Sequence, residues 1–161
     1  MQQQIIINYQ EYTSVAELSA PDAELLAMAR SATSNAYAPY SQFFVAAAAR
    51  LSNGAIHCAT NQENASFPVG VCAEQALFMG LSSMGNLSVT TLAVSYANQR
   101  GSSAVPLAPC GKCRQFLLEF ENNRWGQPIR VIMSGQTGLI RVVNSIEDLL
   151  PLAFSAAALH R

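Results

Sequence analysis

Charged side chains are scarce in this sequence. Asp, Glu, Lys and Arg make up 12% of the 161 residues and give a formal net charge of −1, whereas about 25% is usual in globular proteins. Lys112 is the only lysine, and Arg30 is the first basic residue. Proteins that bind nucleic acid through its phosphates normally carry a basic excess, and the chain also lacks a GxxxxGK phosphate loop. These absences argue against a nucleic-acid partner.

Long apolar runs and a basic leader are also lacking. The longest uninterrupted apolar run, 43–49, is far shorter than the roughly 18–20 residues that a membrane-spanning helix requires. Residues 1–4 include no basic residue of the kind that opens a secretory signal. We therefore expect no membrane association and a cytoplasmic location, where thiols stay reduced. In that compartment, closely spaced cysteines are more typical of a metal or catalytic site than of disulfides.

The length and apolar content indicate one folded domain with partner subunits. A chain of 161 residues fits a single core, and an apolar fraction of 50% argues against disorder. Because the centres of subunit interfaces are depleted of charge, the low charge content also predicts that other subunits cover part of the surface.

The pattern of apolar residues and turn signals predicts the element order α-β-β-α-β-α-β-β-α. The predicted helices are 19–35, 72–84, 110–122 and a short one near Ile146, and the predicted strands are 43–51, 55–60, 89–96, 129–133 and 139–143. Residues 5–12, rich in Ile and Tyr, are compatible with a short strand or an extended arm. The alternation predicts a three-layer α/β/α fold around one mixed, five-stranded sheet.

Three cysteines have the spacing of a catalytic zinc site. Cys110 and Cys113 are three positions apart at the start of a predicted helix and share a face, and Cys72 starts another helix. Helix N-termini favour thiolates, so two of them directed at one point help to gather three sulfurs. Three protein ligands leave the fourth position of a tetrahedral zinc to water, whose pKa the metal lowers. Glu74 is close enough in sequence to move the proton of that water.

These cysteines also admit other interpretations. A CxxC pair occurs in redox sites and in structural zinc sites with four cysteine ligands, and Cys58 is the candidate for the fourth ligand. Cys58 lies in the middle of a predicted strand beside His57, a poor position from which to reach two helix ends. We therefore interpret Cys58 as a small buried apolar side chain. His57 and His160 belong to no metal-binding motif, and neither is assigned to the metal.

Four ordered motifs resemble those of the zinc-dependent nucleoside deaminases, specifically the short, homotetrameric type of the cytidine deaminase family. They are YAPYSQF at 37–43, NQENAS at 61–66, CAE at 72–74 and PCGKCRQ at 109–115. The resemblance covers about residues 21–154. It divides the chain into an N-terminal extension (1–20), a cytidine deaminase-like domain (21–155) and a C-terminal tail (156–161).

The resemblance implies the roles of the residues at the reacting centre. Cys72, Cys110 and Cys113 would bind one zinc ion per chain, and zinc-activated water would attack C4 of the pyrimidine. Glu74 would act as the proton shuttle, protonating N3 and helping the amino group to leave as ammonia. The backbone N–H of Ala73 would bind the carbonyl oxygen of the base.

The resemblance also implies how the nucleoside is held. Asn61 and Glu63 would bind the ribose hydroxyls, and the ring of Phe43 would stack on the pyrimidine. Segment 150–154 resembles the C-terminal part of the family, whose aromatic residue, here Phe154, closes the site of a neighbouring subunit. This implies a homotetramer with shared active sites.

The sequence departs from the family at several positions. Gln75 follows the acidic residue of the CAE motif, where members with three cysteines usually carry arginine. Our hypothesis is that the Gln75 amide donates to a zinc-bound sulfur, and that Arg114 or the backbone supplies the remaining positive potential. Phe67 replaces a frequent tyrosine near the 5′ end of the ribose. Loop 97–108 is longer than typical and has no assigned role.

The expected activity is zinc-dependent deamination of cytidine and 2′-deoxycytidine to uridine and 2′-deoxyuridine in pyrimidine salvage. The alternative is a related small-molecule deaminase, such as a blasticidin-type aminonucleoside deaminase, which also tolerates a residue other than arginine at position 75. A polynucleotide deaminase would require a basic channel, which the net charge disfavours. A structural zinc module would leave Glu74 without a purpose.

Overall fold

One mixed β-sheet organises the chain. The computed structural model describes residues 1–85 and 87–160. The strands are β1 (Gln10–Tyr12), β2 (Phe43–Leu51), β3 (Ile56–Thr60), β4 (Val89–Asn98), β5 (Arg130–Ser134) and β6 (Ile140–Val143), and the α-helices are α1 (Ala20–Ala32), α2 (Ala73–Ser82) and α3 (Gly111–Glu119). The sheet order is β1-β6-β5-β4-β2-β3. The β4–β5 pair is parallel, and the other neighbouring pairs are antiparallel.

Small side chains in β2 allow helices to pack on both faces of the sheet. Ala47 belongs to the core that includes Phe78 of α2 and Leu117 of α3, whereas Ala48 packs with Leu25 of α1 on the opposite face. Both alanines are fully buried. Because an alanine extends only one methyl group from the strand, the helices lie close to the backbone of the sheet on each side. The predicted three-layer α/β/α arrangement is thereby confirmed.

The sheet has six strands, one more than the sequence predicted. The additional strand is β1, which pairs with β6 in the register Gln10 with Val142 and Tyr12 with Ile140. A side-chain hydrogen bond stabilises this pairing, since Arg141 of β6 donates from Nε to Glu11 Oε2 over 2.8 Å. These two partners are 130 residues apart in sequence, so no local pattern predicts the pairing. Part of the predicted N-terminal extension thus belongs to the sheet.

The three α-helices end two or three residues earlier than predicted, at Ala32, Ser82 and Glu119. Ser19 caps α1 as predicted, since its Oγ accepts from Asp22 N, and residues Thr33–Asn35 continue as a 3-10 turn. The predicted short helix near Ile146 is a 3-10 turn over Glu147–Leu149. No helix in the described ranges 1–85 and 87–160 has the length and apolar character needed to cross a membrane.

The end of α3 contains a buried carboxylate. After α3 the chain makes a wider π-type turn over Phe120–Trp125, and Glu121 within that turn is 3% exposed. Its Oε2 accepts from the backbone N–H of Ile129 at 2.7 Å and of Ile146 at 2.9 Å, and Oε1 accepts from the Ser145 hydroxyl. Glu121 therefore joins the end of α3 to the segment before β5 and to the segment after β6.

We expect Glu121→Ala to lower the free energy of unfolding by about 3 kcal/mol, because each buried N–H left without an acceptor costs about 1–3 kcal/mol. Urea unfolding of the purified variant measures the loss. The matched control is Glu119→Ala, since Glu119 is exposed and contacts the exposed Asn123 side chain; its effect should stay within about 0.5 kcal/mol. Equal stabilities of the two variants would show that the Glu121 network does not stabilise the fold.

Candidate metal centre

Two helices begin at the same place, and cysteines mark both beginnings. Cys72 is the residue before α2, Cys110 is the residue before α3, and Cys113 lies in the first turn of α3. The three sulfur atoms all lie within 4.8 Å of one another. The structure therefore brings together the three cysteines that the sequence predicted as metal ligands.

The geometry and chemistry of this cluster fit zinc. A tetrahedral zinc ion bound at about 2.3 Å to each sulfur separates the sulfurs by roughly 3.8 Å, which is compatible with sulfurs that all lie within 4.8 Å of one another. Thiolates are soft ligands that select zinc over magnesium or calcium. The first N–H groups of α2 and α3 have no partner within their helices, and the helix dipoles place partial positive charge beside the sulfurs. Cys72, Cys110 and Cys113 can therefore hold one zinc ion.

The ionisable groups in and beside the cluster have shifted pKa values. Hydrogen bonding with Cys113 lowers the pKa of the Cys72 thiol to about 6, although burial acts in the opposite direction. The same hydrogen bond, together with burial, raises the pKa of Cys113. Glu74 is 4% exposed, and burial raises the pKa of its carboxyl to about 7, with the charge of Cys72 acting in the same direction. The centre thus combines a readily ionised thiol with a carboxyl that changes protonation state near neutrality.

Cys58 does not belong to the cluster. It lies in the middle of β3, as predicted, but its side chain is exposed, so the interpretation as a buried apolar residue was wrong. The reason is that β3 is the outermost strand at its end of the sheet. His57 is the neighbouring residue in the same edge strand, and the side chain of His160 lies outside the described part of the structure.

The turn before β2 holds Glu63. The Oε2 atom of Glu63 accepts from the backbone N–H groups of Tyr40 at 2.9 Å and Ser41 at 3.3 Å. Hydrogen bonding with the Ser41 side chain is the largest of the effects that lower the pKa of Glu63, and the backbone of Tyr40 and the charge of Arg100 act in the same direction. Glu63 is therefore a fixed carboxylate at neutral pH.

Asn61 closes the end of the β2–β3 pair. Its Oδ1 accepts from Val45 N at 2.8 Å, and its Nδ2 donates to the carbonyl oxygen of Phe43 at 3.0 Å. The side-chain amide thus acts as an additional rung beside β2. Its Nδ2 carries two hydrogens, so one remains for a further acceptor.

A cavity of about 410 Å³ opens beside Glu63, within the range of about 300–1,000 Å³ that is usual for small-molecule sites. Its lining residues are Tyr40, Ser41, Glu63, Asn64, Phe67 and Gly70. Sequence analysis assigned no role to Tyr40, Ser41 or Asn64. These three residues lie inside the motifs 37–43 and 61–66, and their place in those motifs was the signal that could have identified them.

The other residues predicted to contact the substrate are Phe43, Ala73 and Phe154, and they differ in burial and in their neighbours. Phe43 starts β2, and its ring stacks on that of Tyr96 with centroids 4.7 Å apart. Ala73 is the first residue of α2 and is fully buried. The side chain of Phe154 is 61% exposed, while its carbonyl oxygen accepts from Gln115 Nε2. Phe154 therefore presents an exposed aromatic ring.

Comparison with known proteins identifies the family. Residues 19–126 match the family described as the cytidine and deoxycytidylate deaminase zinc-binding region. The chain belongs to this deaminase family. The cytidine deaminase of Sporosarcina psychrophila is 36% identical over 132 residues, which cover 82% of this chain and 90% of that protein. The cytidine deaminase of Mycobacterium tuberculosis strain H37Rv is 36% identical over 135 residues, which cover 83% and 89%.

Solved structures of the family share the fold. The cytidine deaminase of Burkholderia pseudomallei superposes with a TM-score of 0.68 at 34% identity, covering 81% of this chain and 97% of that chain. The enzyme from Mycobacterium tuberculosis gives a TM-score of 0.63 at 35% identity, covering 82% and 95%. The deaminase family therefore accounts for the sheet, the helices and the zinc-binding region of this chain.

Two polar residues close in sequence to the cysteines have unusual hydrogen-bonding environments. Gln75 is 3% exposed, and its Oε1 is buried without a hydrogen-bond partner among the described residues. Arg114 donates from Nε to the carbonyl oxygen of Pro109 at 2.7 Å and from Nη1 to that of Leu149 at 2.8 Å. Arg114 therefore fixes the backbone directly before Cys110, whereas a contact of either residue with sulfur stays a prediction.

We expect Cys110→Ser to lose zinc and to become less stable, because metal binding is coupled to folding at sites of this kind. Metal analysis and thermal unfolding of the purified variant measure both effects. Cys58→Ser is the matched control and should keep one zinc per chain with an unchanged melting temperature. Loss of zinc from the Cys58 variant would favour a site with four cysteines.

Proposed function

We propose that the protein is a zinc-dependent hydrolase that converts cytidine and 2′-deoxycytidine, with water, to uridine and 2′-deoxyuridine, releasing ammonia. The observation that carries this proposal is the position of the buried Glu74 carboxyl beside three clustered cysteine sulfurs. Relatives with this family's zinc-binding region are named cytidine deaminases. In the cell we assign the protein to pyrimidine salvage in the cytoplasm.

The proposed roles at the reacting centre follow from the environment of each group. Zinc held by Cys72, Cys110 and Cys113 supplies the Lewis acid that makes water nucleophilic near neutral pH. Glu74 is balanced between its two protonation states near neutrality. It can therefore take one proton from the attacking water and deliver it to N3 of the pyrimidine, and then take the proton of the hydroxyl newly bound at C4 and deliver it to the departing amino group. The N–H of Ala73, unpaired within α2 as its first amide, donates to the carbonyl oxygen of the base.

The proposed ribose subsite combines Glu63, which lines the cavity, with Asn61. Glu63 directs Oε2 to the turn before β2, so its other carboxylate oxygen is available to a ribose hydroxyl. The second Nδ2 hydrogen of Asn61 is available to the same sugar. We assign Phe43 to the pyrimidine, since its ring lies at the start of β2, where Asn61 binds its carbonyl oxygen.

We expect Glu74→Gln to keep zinc and the fold but to lose activity by more than about 10²–10⁴-fold, the range that one acid–base group commonly supplies, because Glu74 would serve several proton transfers. Steady-state turnover of cytidine, with metal analysis of the same sample, checks both parts. Near-normal turnover of the variant would contradict the catalytic assignment of Glu74.

We further propose a homotetramer in which Phe154 enters the site of a neighbouring subunit. Support comes from the exposed apolar side chains of the C-terminal segment, where Leu152 is 93% and Phe154 61% exposed. The low charge content of the chain supports it as well. The folded deaminase domain would then end near residue 155, leaving 156–161 as a tail.

Deleting residues 152–161 should lower activity by at least about tenfold without removing zinc, because burial of one aromatic side chain contributes roughly 1.5–3 kcal/mol. Deleting only 156–161 is the matched control and should leave activity unchanged. Cytidine turnover, metal content and sedimentation of both proteins test the proposal. A fully active monomer at any of these lengths would exclude shared active sites.

The fall in ultraviolet absorbance on deamination tests the activity and separates the alternatives. Cytidine, 2′-deoxycytidine, blasticidin S and a single-stranded oligonucleotide are each mixed with the zinc-loaded protein. We expect turnover of the two nucleosides. The buried Gln75 in place of the usual arginine is the one feature that favours a blasticidin-type enzyme, so faster turnover of blasticidin S would replace the present proposal.

A further inference from the structure

The long loop that follows β4 is fixed at its far end by the turn between β5 and β6. Asn98 N donates to Ser103 Oγ over 2.8 Å, and Thr137 N donates to the carbonyl oxygen of Ser103 over 3.3 Å. A Cβ atom on Gly135 would lie 1.9 Å from the Ser103 carbonyl oxygen, and one on Gly138 would lie 2.2 Å from that of Ala104. Only glycine permits this approach, so the loop backbone rests directly on the turn.

The near end of the same loop holds the turn before β2. Gln99 N donates to the carbonyl oxygen of Gln42 over 3.1 Å, and Arg100 Nη2 donates to the carbonyl oxygen of Tyr40 over 3.0 Å. Gln42 has a φ of +58°, a left-handed conformation that a residue other than glycine adopts only where its surroundings hold it. The loop supplies two of the hydrogen bonds that hold this turn.

The turn before β2 also binds the carboxylate of Glu63, which lines the cavity. Tyr40 offers its carbonyl oxygen to Arg100 and its N–H to Glu63 Oε2, so one residue links the two side chains. Glu63 N also donates to the carbonyl oxygen of Tyr37 over 2.8 Å. The backbone of the turn therefore transmits the position of the guanidinium to the carboxylate.

We infer that Arg100 is a positioning residue that, through Tyr40, sets the orientation of Glu63 toward the sugar hydroxyls of the substrate. The inference rests on the proposed function, which places a ribose beside Glu63. It also gives loop 97–108 a role: the loop braces the sugar side of the site between the β5–β6 turn and the turn before β2.

The geometry favours positioning over direct binding of substrate by Arg100. Its Nη2 is already engaged by a backbone carbonyl, and its charge lies close enough to Glu63 to favour the ionised carboxylate. An arginine that bound a 5′-phosphate directly would instead affect the binding of nucleotides. Removal of a positioning Arg100 should therefore weaken substrates that carry sugar hydroxyls, whereas removal of a phosphate-binding Arg100 should weaken substrates that carry a 5′-phosphate.

The test compares Arg100→Ala with wild type on cytidine, 2′,3′-dideoxycytidine and cytidine 5′-monophosphate. We expect the KM for cytidine to rise about fivefold, in line with the loss of one hydrogen bond, while kcat stays within twofold. The KM for the dideoxynucleoside, which offers Glu63 no 2′- or 3′-hydroxyl, should change less than twofold. Arg100→Lys should recover at least half of the loss, because an ammonium group can still donate to Tyr40.

Arg124→Ala is the matched control, since Arg124 is also exposed and donates to a backbone carbonyl, that of Ser82. It should leave all three KM values unchanged. Equal losses of Arg100→Ala on cytidine and the dideoxynucleoside would overturn the inference, as would a loss confined to the phosphorylated substrate.

Calorimetric titration with uridine and 2′,3′-dideoxyuridine separates this inference from the proposed function. If wild type binds uridine and deaminates cytidine while Arg100→Ala does both equally well, only the role of Arg100 is wrong. If wild type neither binds uridine nor deaminates cytidine, the proposed function fails and the inference falls with it.

Discussion

The convergence of two helix N-termini is the constraint on which the rest of the site depends. Three sulfurs within 4.8 Å of one another repel each other once ionised, and the dipoles of α2 and α3 offset part of that repulsion. Both helices pack on one face of the sheet, which fixes where they begin. The contacts of Arg114 with the carbonyl oxygens of Pro109 and Leu149 add a second restraint directly before Cys110.

Burial and hydrogen bonding give three carboxylates of this protein different roles. Glu121 is buried but accepts from three backbone N–H groups and a hydroxyl, which makes it a structural joint. Glu63 is fixed by a turn and beside a guanidinium, so it remains ionised. Glu74 is buried next to Cys72, and its pKa rises to about 7. The environment of Glu74 suits proton transfer near neutral pH.

Sequence reasoning succeeded where the signal is local and failed where it depends on distant partners. Spacing and helix-start signals were enough to select Cys72, Cys110 and Cys113 and to place Glu74 beside them. They left residues 5–12 as a short strand or an extended arm and did not place β1 in the sheet, since its partner Arg141 is 130 residues from Glu11. The exposure of Cys58 was missed for the same reason, because strand order decides which strand lies at an edge.

The sequence by itself determined the layered α/β/α fold, the zinc-binding cysteines and the membership of the deaminase family, since each follows from periodicity, capping or motif spacing within short stretches of chain. Only the tertiary structure decided that loop 97–108 reaches the turn before β2 and that Arg100 connects to Glu63 through Tyr40. These contacts join segments that are 23 and 60 residues apart. Their existence depends on how the sheet brings strand ends together, which no local pattern encodes.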